Sequence, residues 1–404
     1  MSKFAIRRIG TLLSAVTIVV TAGLPGGNVA AAQLPSAGID AGIGAGINFE
    51  SYDFSSAEAV GMERLSLRTI PLTAGLRPAR WLTLEVAGAH ATGVLRRADG
   101  SDSEISGFTD TEVRATVPFG SGKTTFSLTG LVVLPTGVES QSPDEVAVAG
   151  VVAADLLPLR ISSWGGGAGY ALSAAAARSI GDFNVGLSAG YRVASEYDPL
   201  DEGSFTFRPG NELRLRAAID RNVRGQSKAS LYATLFTYDR DRLNGANLYD
   251  SGNRIQVVGS YAFPLGMAGS AIAYAGVMHR ARGNVVDPLR VGAITTTADL
   301  PSQQLYLLGG GSRLPLGRHR LLPSVDIRVF RREDGIGQGY VLGLGTAAEL
   351  RLSGFNSEVT ASVDRGVVLV PSITFRFGEL MLSDDRDSRL TGLQIGMAIR
   401  GGAR

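Results

Sequence analysis

The sequence predicts an all-β fold, a transmembrane antiparallel up-and-down β-barrel of about 14–16 strands. Three observations predict it. Apolar and polar residues alternate along many segments, as they do in strands with one apolar face. Short turns alternate with longer polar loops between these segments. After Gln33 no apolar run reaches the roughly 18–20 residues of a membrane-spanning helix, and a closed barrel also pairs every backbone group inside a bilayer.

The composition excludes several functional classes. The chain has 404 residues, with 39 Lys and Arg against 37 Asp and Glu, and its formal net charge of +2 gives no general attraction to nucleic acid. Cysteine is absent, so there is no disulfide and no thiolate metal site. Only 3 histidines are left for a metal centre built on imidazole. We therefore expect no cofactor, no metal and no nucleic-acid partner.

Residues 1–32 have the pattern of a cleavable secretory signal peptide. A basic start precedes a mostly apolar stretch at 9–24, and three small residues end at Ala32, after which we expect cleavage. Cleavage after Ala31 is an alternative, as is an uncleaved membrane anchor. The barrel would then occupy residues 33–404, and the expected location is the cell outer membrane of a Gram-negative bacterium.

The clearest strand lies at residues 211–220. In a membrane barrel an apolar face contacts lipid and a charged face lines the lumen. The predicted lipid-facing residues are Leu213, Leu215, Ala217 and Ile219, and the predicted lumen residues are Glu212, Arg214, Arg216 and Asp220. The same alternation recurs in other segments, including 112–119, 325–329, 342–352 and 393–400. Each segment is a weak signal alone, and their number carries the prediction.

The connections between strands alternate in length. Seven short turns and eight longer polar loops give fifteen connections and hence sixteen strands, with fourteen as the alternative. Short periplasmic turns and longer outer loops are typical of outer-membrane barrels. The loop at 138–163 contains an apolar stretch, 146–157, that does not alternate. We expect a short helix there, in the loop or in the barrel mouth, with an extra pair of strands as the alternative; whether the loop plugs the lumen stays open.

Charged residues on the predicted inner faces form the candidate functional site. Both signs occur, often two residues apart on one strand. Such a lumen can orient a polar permeant. Alternatively, the charges form cross-strand ion pairs that stiffen the barrel, each worth little when solvated. The predicted lumen-lining residues are Arg64, Arg68, Glu85, Glu112, Arg114, Glu212, Arg214, Arg216, Asp220, Asp326, Arg328, Glu349, Arg351, Asp364 and Arg376.

Three further sequence patterns could indicate other chemistry. Residues 119–125 resemble a phosphate loop, but Val117 stands where its first glycine belongs and a strand pattern follows, so we expect a tight turn. His90 and His279 are the candidates for a catalytic base, yet neither shares an evident depth with a serine and a carboxylate, so we expect no enzyme. Carboxylates concentrated in the outer loops could bind Ca²⁺ or bridge lipopolysaccharide phosphates, or simply be solvated.

Two short motifs resemble a known outer-membrane family. Gly107-x-x-Asp110 begins one predicted strand, and Leu134-Pro-Thr-Gly137 ends the next. These motifs are similar to those of the transporter-like barrels of the meta-pathway of phenol degradation, relatives of the FadL-type fatty acid transporters. The resemblance covers roughly a quarter to a third of the chain. It implies uptake of small hydrophobic or aromatic compounds. The chain departs from the family in having no FadL-type plug at its mature start and no aromatic residue at its C-terminus.

Together these features predict an outer-membrane channel or transporter for small solutes, which diffuse passively through a charge-lined lumen. Its expected partners are outer-membrane lipid and lipopolysaccharide, the barrel-assembly machinery and a small-molecule permeant. The alternatives are a barrel enzyme acting on lipid or peptide, and a structural or adhesive barrel whose surface loops bind partners. The identity of the permeant and the oligomeric state are not indicated by the sequence.

Overall fold

The computed structural model describes residues 40–403 except for 121, 154–156, 202–204, 224–225, 267–268, 287–296, 335–336, 353–365 and 384–385. The predicted signal peptide and Asp364 therefore lie outside the described residues. In the described part of the chain, no helix is both long enough and apolar enough to cross a membrane.

Strands dominate the described chain, and two short helices lie in loops. In chain order the strands are β1 (Asp40–Phe54), β2 (Met62–Ala79), β3 (Leu82–Arg97), β4 (Asp102–Phe108), β5 (Thr111–Phe119), β6 (Thr124–Leu134), β7 (Gly169–Ile180), β8 (Phe183–Ala194), β9 (Phe207–Arg208), β10 (Glu212–Asn222), β11 (Lys228–Tyr238), β12 (Asp241–Leu243), β13 (Ala246–Asp250), β14 (Arg254–Leu265), β15 (Gly269–Arg280), β16 (Gly283–Val286), β17 (Thr297–Leu300), β18 (Gln303–Leu316), β19 (His319–Arg332), β20 (Gln338–Leu352), β21 (Gly366–Ser383) and β22 (Arg386–Ala403). The helices are α1 (Ala57–Val60) and α2 (Pro143–Val152).

The long strands form one closed antiparallel barrel. Each pairs with its neighbour along the chain, and β22 pairs with β1 to close the wall. Both β4 and β5 pair with β3, so they act as one wall strand interrupted at Thr109 and Asp110. The described wall therefore has 16 strands. This confirms the predicted fold class and the larger of the two predicted strand numbers.

The two faces of the wall differ in chemistry. Directly opposed residues of an antiparallel pair point to the same side, so the register carries each face from strand to strand. Leu215 in β10 is 41% exposed, whereas the next residue, Arg216, is buried. Bulky apolar side chains such as Ile47 in β1 and Leu172 in β7 are exposed on the same face as Leu215. This is the outer face, and the opposite face lines the lumen.

The short connections lie where the sequence predicts them. Brief turns join β2 to β3, β5 to β6, β7 to β8, β10 to β11, β14 to β15 and β18 to β19 at one end of the barrel. The remaining predicted turn, at 353–356, falls outside the described residues. The longest loops lie at the opposite end, so the alternation in the sequence reflects the two ends of the barrel.

The loop between β6 and β7 folds into the barrel; we call its described residues, 135–153 and 157–168, the plug. The side chains of Val148 and Val152 in α2 are buried against the inner face. The helix begins with a capping box, in which Ser142 Oγ accepts from the amide of Glu145 and Glu145 Oε2 accepts from the amide of Ser142 at 2.8 Å. Pro143 occupies a first-turn position that needs no amide donor. The predicted helix is confirmed.

The long loops between β8 and β18 form a second, small sheet. Its antiparallel strands lie in the order β17-β16-β13-β12-β9. The hairpin of β12 and β13 turns at Asn244 and Gly245, whose φ angles of 50° and 78° match a turn with two left-handed residues. The sequence predicts only polar loops here, because strands of two to five residues are too short to show a clear alternation.

Candidate functional site

Most of the predicted lumen-lining residues lie on the inner face of the barrel. The register places there Glu85, Glu112, Arg114, Glu212, Arg214, Arg216, Asp220, Asp326, Arg328, Glu349, Arg351 and Arg376. Asp364 lies outside the described residues.

The prediction is wrong for Arg64 and Arg68, which the register places on the outer face. Their neighbours Leu65 and Leu67 point inward and are 0% exposed. The plug supplies an apolar partner inside the barrel at this height, so the leucines are buried in the lumen and the arginines point outward. An alternating strand reveals two faces, but which one is inner depends on what fills the barrel.

Trp164 lies at the centre of the apolar core between plug and wall. Its side chain is fully buried, and its Nε1 donates a hydrogen bond to the carbonyl oxygen of Ala91 in β3, 2.9 Å away. Gly93 leaves room for the indole, since a Cβ there would lie 2.8 Å from Trp164 Cη2. The other buried side chains of this core are Tyr52, Phe54, Leu65, Leu67, Leu95, Ile105, Val148, Val152, Leu157, Leu159, Val341, Leu380 and Leu390.

Asp110 ties both ends of the plug to the wall. Its Oδ1 accepts from the amide of Gly137 at 3.1 Å, and its Oδ2 accepts from the amide of Gly166 at 2.8 Å. Gly137 has no room for a Cβ, which would overlap the carbonyl oxygen of Trp164, and Gly107 has none either. The two motifs that resemble the transporter-like family thus form the root of the plug.

A buried carboxylate also joins the plug to the wall. Glu50 in β1 is fully buried, and its Oε1 accepts from Gln394 Nε2 at 2.9 Å. The same oxygen lies 3.6 Å from Nε of Arg160 in the plug. Removal from water lowers the pKa of the Arg160 guanidinium, and Glu50 opposes that shift. Nothing local in the sequence singles out these residues, because they are brought together by the closure of the barrel.

Many inner charges are arranged as ion pairs. Arg376 Nη1 lies 3.0 Å from Asp326 Oδ2, close to the plug core. Further pairs join Arg114 to Glu85 and Glu112, Arg214 to Glu212, Lys228 to Asp220, and both Arg313 and Arg320 to Glu349. The pairs of Arg114 with Glu85, of Lys228 with Asp220 and of Glu349 with Arg313 and Arg320 join different strands, as in the second interpretation, whereas Glu212 with Arg214 and Glu112 with Arg114 pair within one strand.

No catalytic arrangement forms around the histidines within the described residues. His90 and His279 both lie on the outer face, where the His90 ring meets Phe108 edge-on at 5.2 Å between centroids. Over the same described part of the chain, no group of three or more His, Asp or Glu side chains could hold a metal ion. The phosphate-loop pattern forms the turn before β6, and a strand follows it, as expected.

Two of the outer loops are joined by a charged contact. Arg282 donates hydrogen bonds to the carboxylate of Glu333 through Nε, at 2.8 Å, and through Nη2. Ser302 Oγ donates to the same carboxylate at 3.1 Å. The hydrogen bond from Arg282, helped by those from Ser302, lowers the pKa of Glu333 to about 2.

Comparisons with known proteins give likenesses of fold. No family model matches the chain, and no curated protein matches its sequence. Among solved structures, an outer membrane channel from Pseudomonas putida F1 is 9% identical, over 92% of this chain and 98% of that chain, with a TM-score of 0.37. OpdK of Pseudomonas aeruginosa, solved with vanillate, is 9% identical over 90% and 100% of the two chains, with a TM-score of 0.38. The monoaromatic hydrocarbon channel CymD is 11% identical over 90% and 88%, with a TM-score of 0.36.

Proposed function

We propose that this chain is a channel of the bacterial outer membrane through which small solutes diffuse passively. The observation that supports it is the division of the barrel into two faces. Bulky apolar side chains such as Leu172 and Leu215 are exposed around the outside, and charged side chains such as Arg216 and Asp326 line the inside. An exposed apolar surface of this extent belongs in hydrocarbon rather than in water.

The permeation path runs beside the plug. The plug core takes its wall residues from β1 to β4 and from β20 to β22, so the plug fills that side of the lumen. Small side chains line the inner face of β7 and β8 and leave space there: Ser173, Ala175, Ala177, Gly186, Ser188 and Gly190. We therefore place the path of the solute along β7 and β8, beside the plug.

Residues 1–32 serve for export, the barrel-assembly machinery inserts the chain, and the end with the longest loops faces outward among lipopolysaccharide. Small hydrophobic or aromatic solutes are the permeants that the family resemblance implies.

Conductance across a planar bilayer tests this proposal. Refolded protein should give discrete conductance steps in KCl, and an added aromatic solute should reduce the current while it occupies the lumen. Heat-denatured protein in the same detergent is the control. Correctly folded protein that inserts but gives no current would contradict the channel function.

A further inference from the structure

A row of arginines crosses the inner face of the barrel at the end that carries the long loops. The residues paired in this row are Arg214 of β10, Phe236 of β11, Arg254 of β14, Arg280 of β15, Gln303 of β18 and Arg332 of β19. Arg254 and Arg280 are directly opposed. Like charges in opposed positions repel each other, so this pair destabilises the wall unless something negative lies between them.

The two arginines at the ends of the row have carboxylate partners. Arg214 lies 2.7 Å from Glu212, and Arg332 lies 2.9 Å from Asp334. These pairs explain why the guanidiniums at the two ends of the row are tolerated.

The central two arginines have no such partner. Over the described residues, neither Arg254 nor Arg280 forms an ion pair, and the Nε atom of each is buried without a hydrogen-bond partner. Arg280 Nη1 donates to the side-chain oxygen of Gln303 at 3.3 Å, and the Arg254 guanidinium lies 5.7 Å from the ring centre of Tyr238. Two opposed guanidiniums without a carboxylate between them repel each other, so their position in the lumen points to a negative group brought by a ligand.

The surrounding wall offers no negative charge. The four neighbouring wall strands β11, β14, β15 and β18 contain no Asp or Glu. Of the carboxylates in the adjoining loops, Asp239 accepts from Asn211 at 3.0 Å, and Asp250 forms an ion pair with Arg240, 3.5 Å away. The positive field of the central arginines is therefore open to an anion that enters the lumen.

An apolar surface lies one step deeper. Two residues farther from the loops, the inner face carries Met278, Leu305 and Phe330 in register. Met278 is 6% exposed and Leu305 2%, so both form a packed floor below the arginines. A ligand with a charged head and an apolar body matches this pairing of surfaces.

On the basis of the channel function proposed above, we propose that Arg254 and Arg280 form a binding site for organic monocarboxylates. The two guanidiniums donate to the carboxylate, a planar group that suits their geometry. The apolar body of the ligand lies against Phe330, which is only partly buried, above the packed side chains of Met278 and Leu305. The site accordingly makes the lumen selective for anions.

Binding of benzoate to refolded protein in detergent, measured by calorimetry, tests the site without any need for conductance. The double variant Arg254→Gln/Arg280→Gln should bind benzoate about tenfold more weakly or worse. Arg320→Gln is the matched control, because it removes an inner arginine at the other end of the barrel while Arg313 still pairs with Glu349. Benzyl alcohol, which lacks the carboxylate, should bind less tightly than benzoate. Absence of benzoate binding, or equal binding by the double variant and the unaltered chain, would overturn the site.

The reversal potential in a KCl gradient separates this inference from the channel function. The unaltered chain and Arg320→Gln should favour Cl⁻, and the double variant should lose most of that preference. A conducting channel with the same reversal potential in all three proteins would overturn the anion site and leave the channel standing. A chain that does not conduct would overturn the channel function, and benzoate binding would then still decide the site.

Discussion

Trp164 of the plug donates its indole hydrogen to the carbonyl oxygen of Ala91 in the barrel wall, although the two residues are 73 positions apart in the chain. The indole is fully buried, and Gly93 leaves the space that it occupies. A buried aromatic ring with its polar atom satisfied fixes position as well as adding apolar contact. The plug is thus packed against the wall like part of a hydrophobic core, and its position is set by a few contacts that can be removed singly.

Replacing Trp164 with alanine should release the plug from the wall. The loss of a large buried ring costs about 3–5 kcal/mol, and this loss falls on the contact between plug and wall while the strand pairing is unchanged. We expect a larger single-channel conductance than that of the unaltered chain. Trp81→Ala is the control, because Trp81 is 59% exposed at a turn. Equal conductance for Trp164→Ala and Trp81→Ala would contradict this role.

Replacing Gly137 with alanine should also release the plug from the wall, because Gly137 lies where the plug joins it. A Cβ at this position overlaps the Trp164 carbonyl oxygen and lies 2.8 Å from Asp110 Oδ1. The amide of Gly137 then loses its acceptor, and the plug should become sensitive to protease in folded barrels. Gly130→Ala, within the preceding strand β6, is the control, since nothing lies within 4 Å of a Cβ there. Protease resistance of both variants would show that Asp110 and Gly137 do not hold the plug.

Arg160→Met should destabilise the chain more than the double change Arg160→Met/Glu50→Gln. Removing Arg160 alone takes the ion-pair partner from the buried Glu50 carboxylate and leaves it only the weaker influence of Arg376, which costs about 3–5 kcal/mol, whereas removing both charges costs much less. Denaturant titration in detergent measures the difference. The exposed pair of Asp53 and Arg64 is the comparison, with an expected contribution of about 0–1 kcal/mol. Equal unfolding free energies for the single and double variants would argue against a buried ion pair.

The barrel wall could be predicted from the sequence because the direction of each side chain depends on its position within its own strand. In β10 each side chain faces lipid or lumen according to its parity, so Leu213 and Arg214 already indicate both faces. The alternation of short and long connections predicts the strand number from local sequence as well. A sequence motif includes Asp110, but the motif does not show that Asp110 accepts hydrogen bonds from the amides of Gly137 and Gly166.

The plug contacts could not be predicted in this way. Glu50 and Gln394 are 344 positions apart and meet only because the last strand closes on the first. Leu65 and Leu67 alternate with Arg64 and Arg68 as any barrel strand would. Their inward direction follows from the apolar helix α2 beside them. The alternation of residues in the strand does not reveal this partner, because it lies far away in the sequence.

The contact of Arg282 with Glu333 should persist in mild acid. The pKa of Glu333 is lowered from 4.5 to about 2, so the folded chain binds this proton less readily than the unfolded chain. The stabilisation is present above about pH 4.5 and is lost as the pH falls through about 2. Carbon-13 NMR of labelled glutamate carboxyls can follow the titration. In Arg282→Gln the midpoint should return toward 4.5; a midpoint near 4.5 in the unaltered chain would rule out the contact.

Substitutions at neighbouring positions on the two faces of β10 should differ strongly in their effect on folding in lipid. Leu215 is on the outer face, and an arginine there costs roughly 2–4 kcal/mol if it lies near the middle of a bilayer. Arg214→Leu, by contrast, replaces a lumen residue whose side chain is 39% exposed, and removes one ion pair with Glu212. We therefore expect Leu215→Arg to reduce the folded fraction in lipid vesicles far more than Arg214→Leu does, as read from heat-modified mobility in gels. In lipid-free detergent micelles, which deform around a charge, the gap should narrow. Equal tolerance of both substitutions in vesicles would mean that the outer face of this barrel does not contact hydrocarbon.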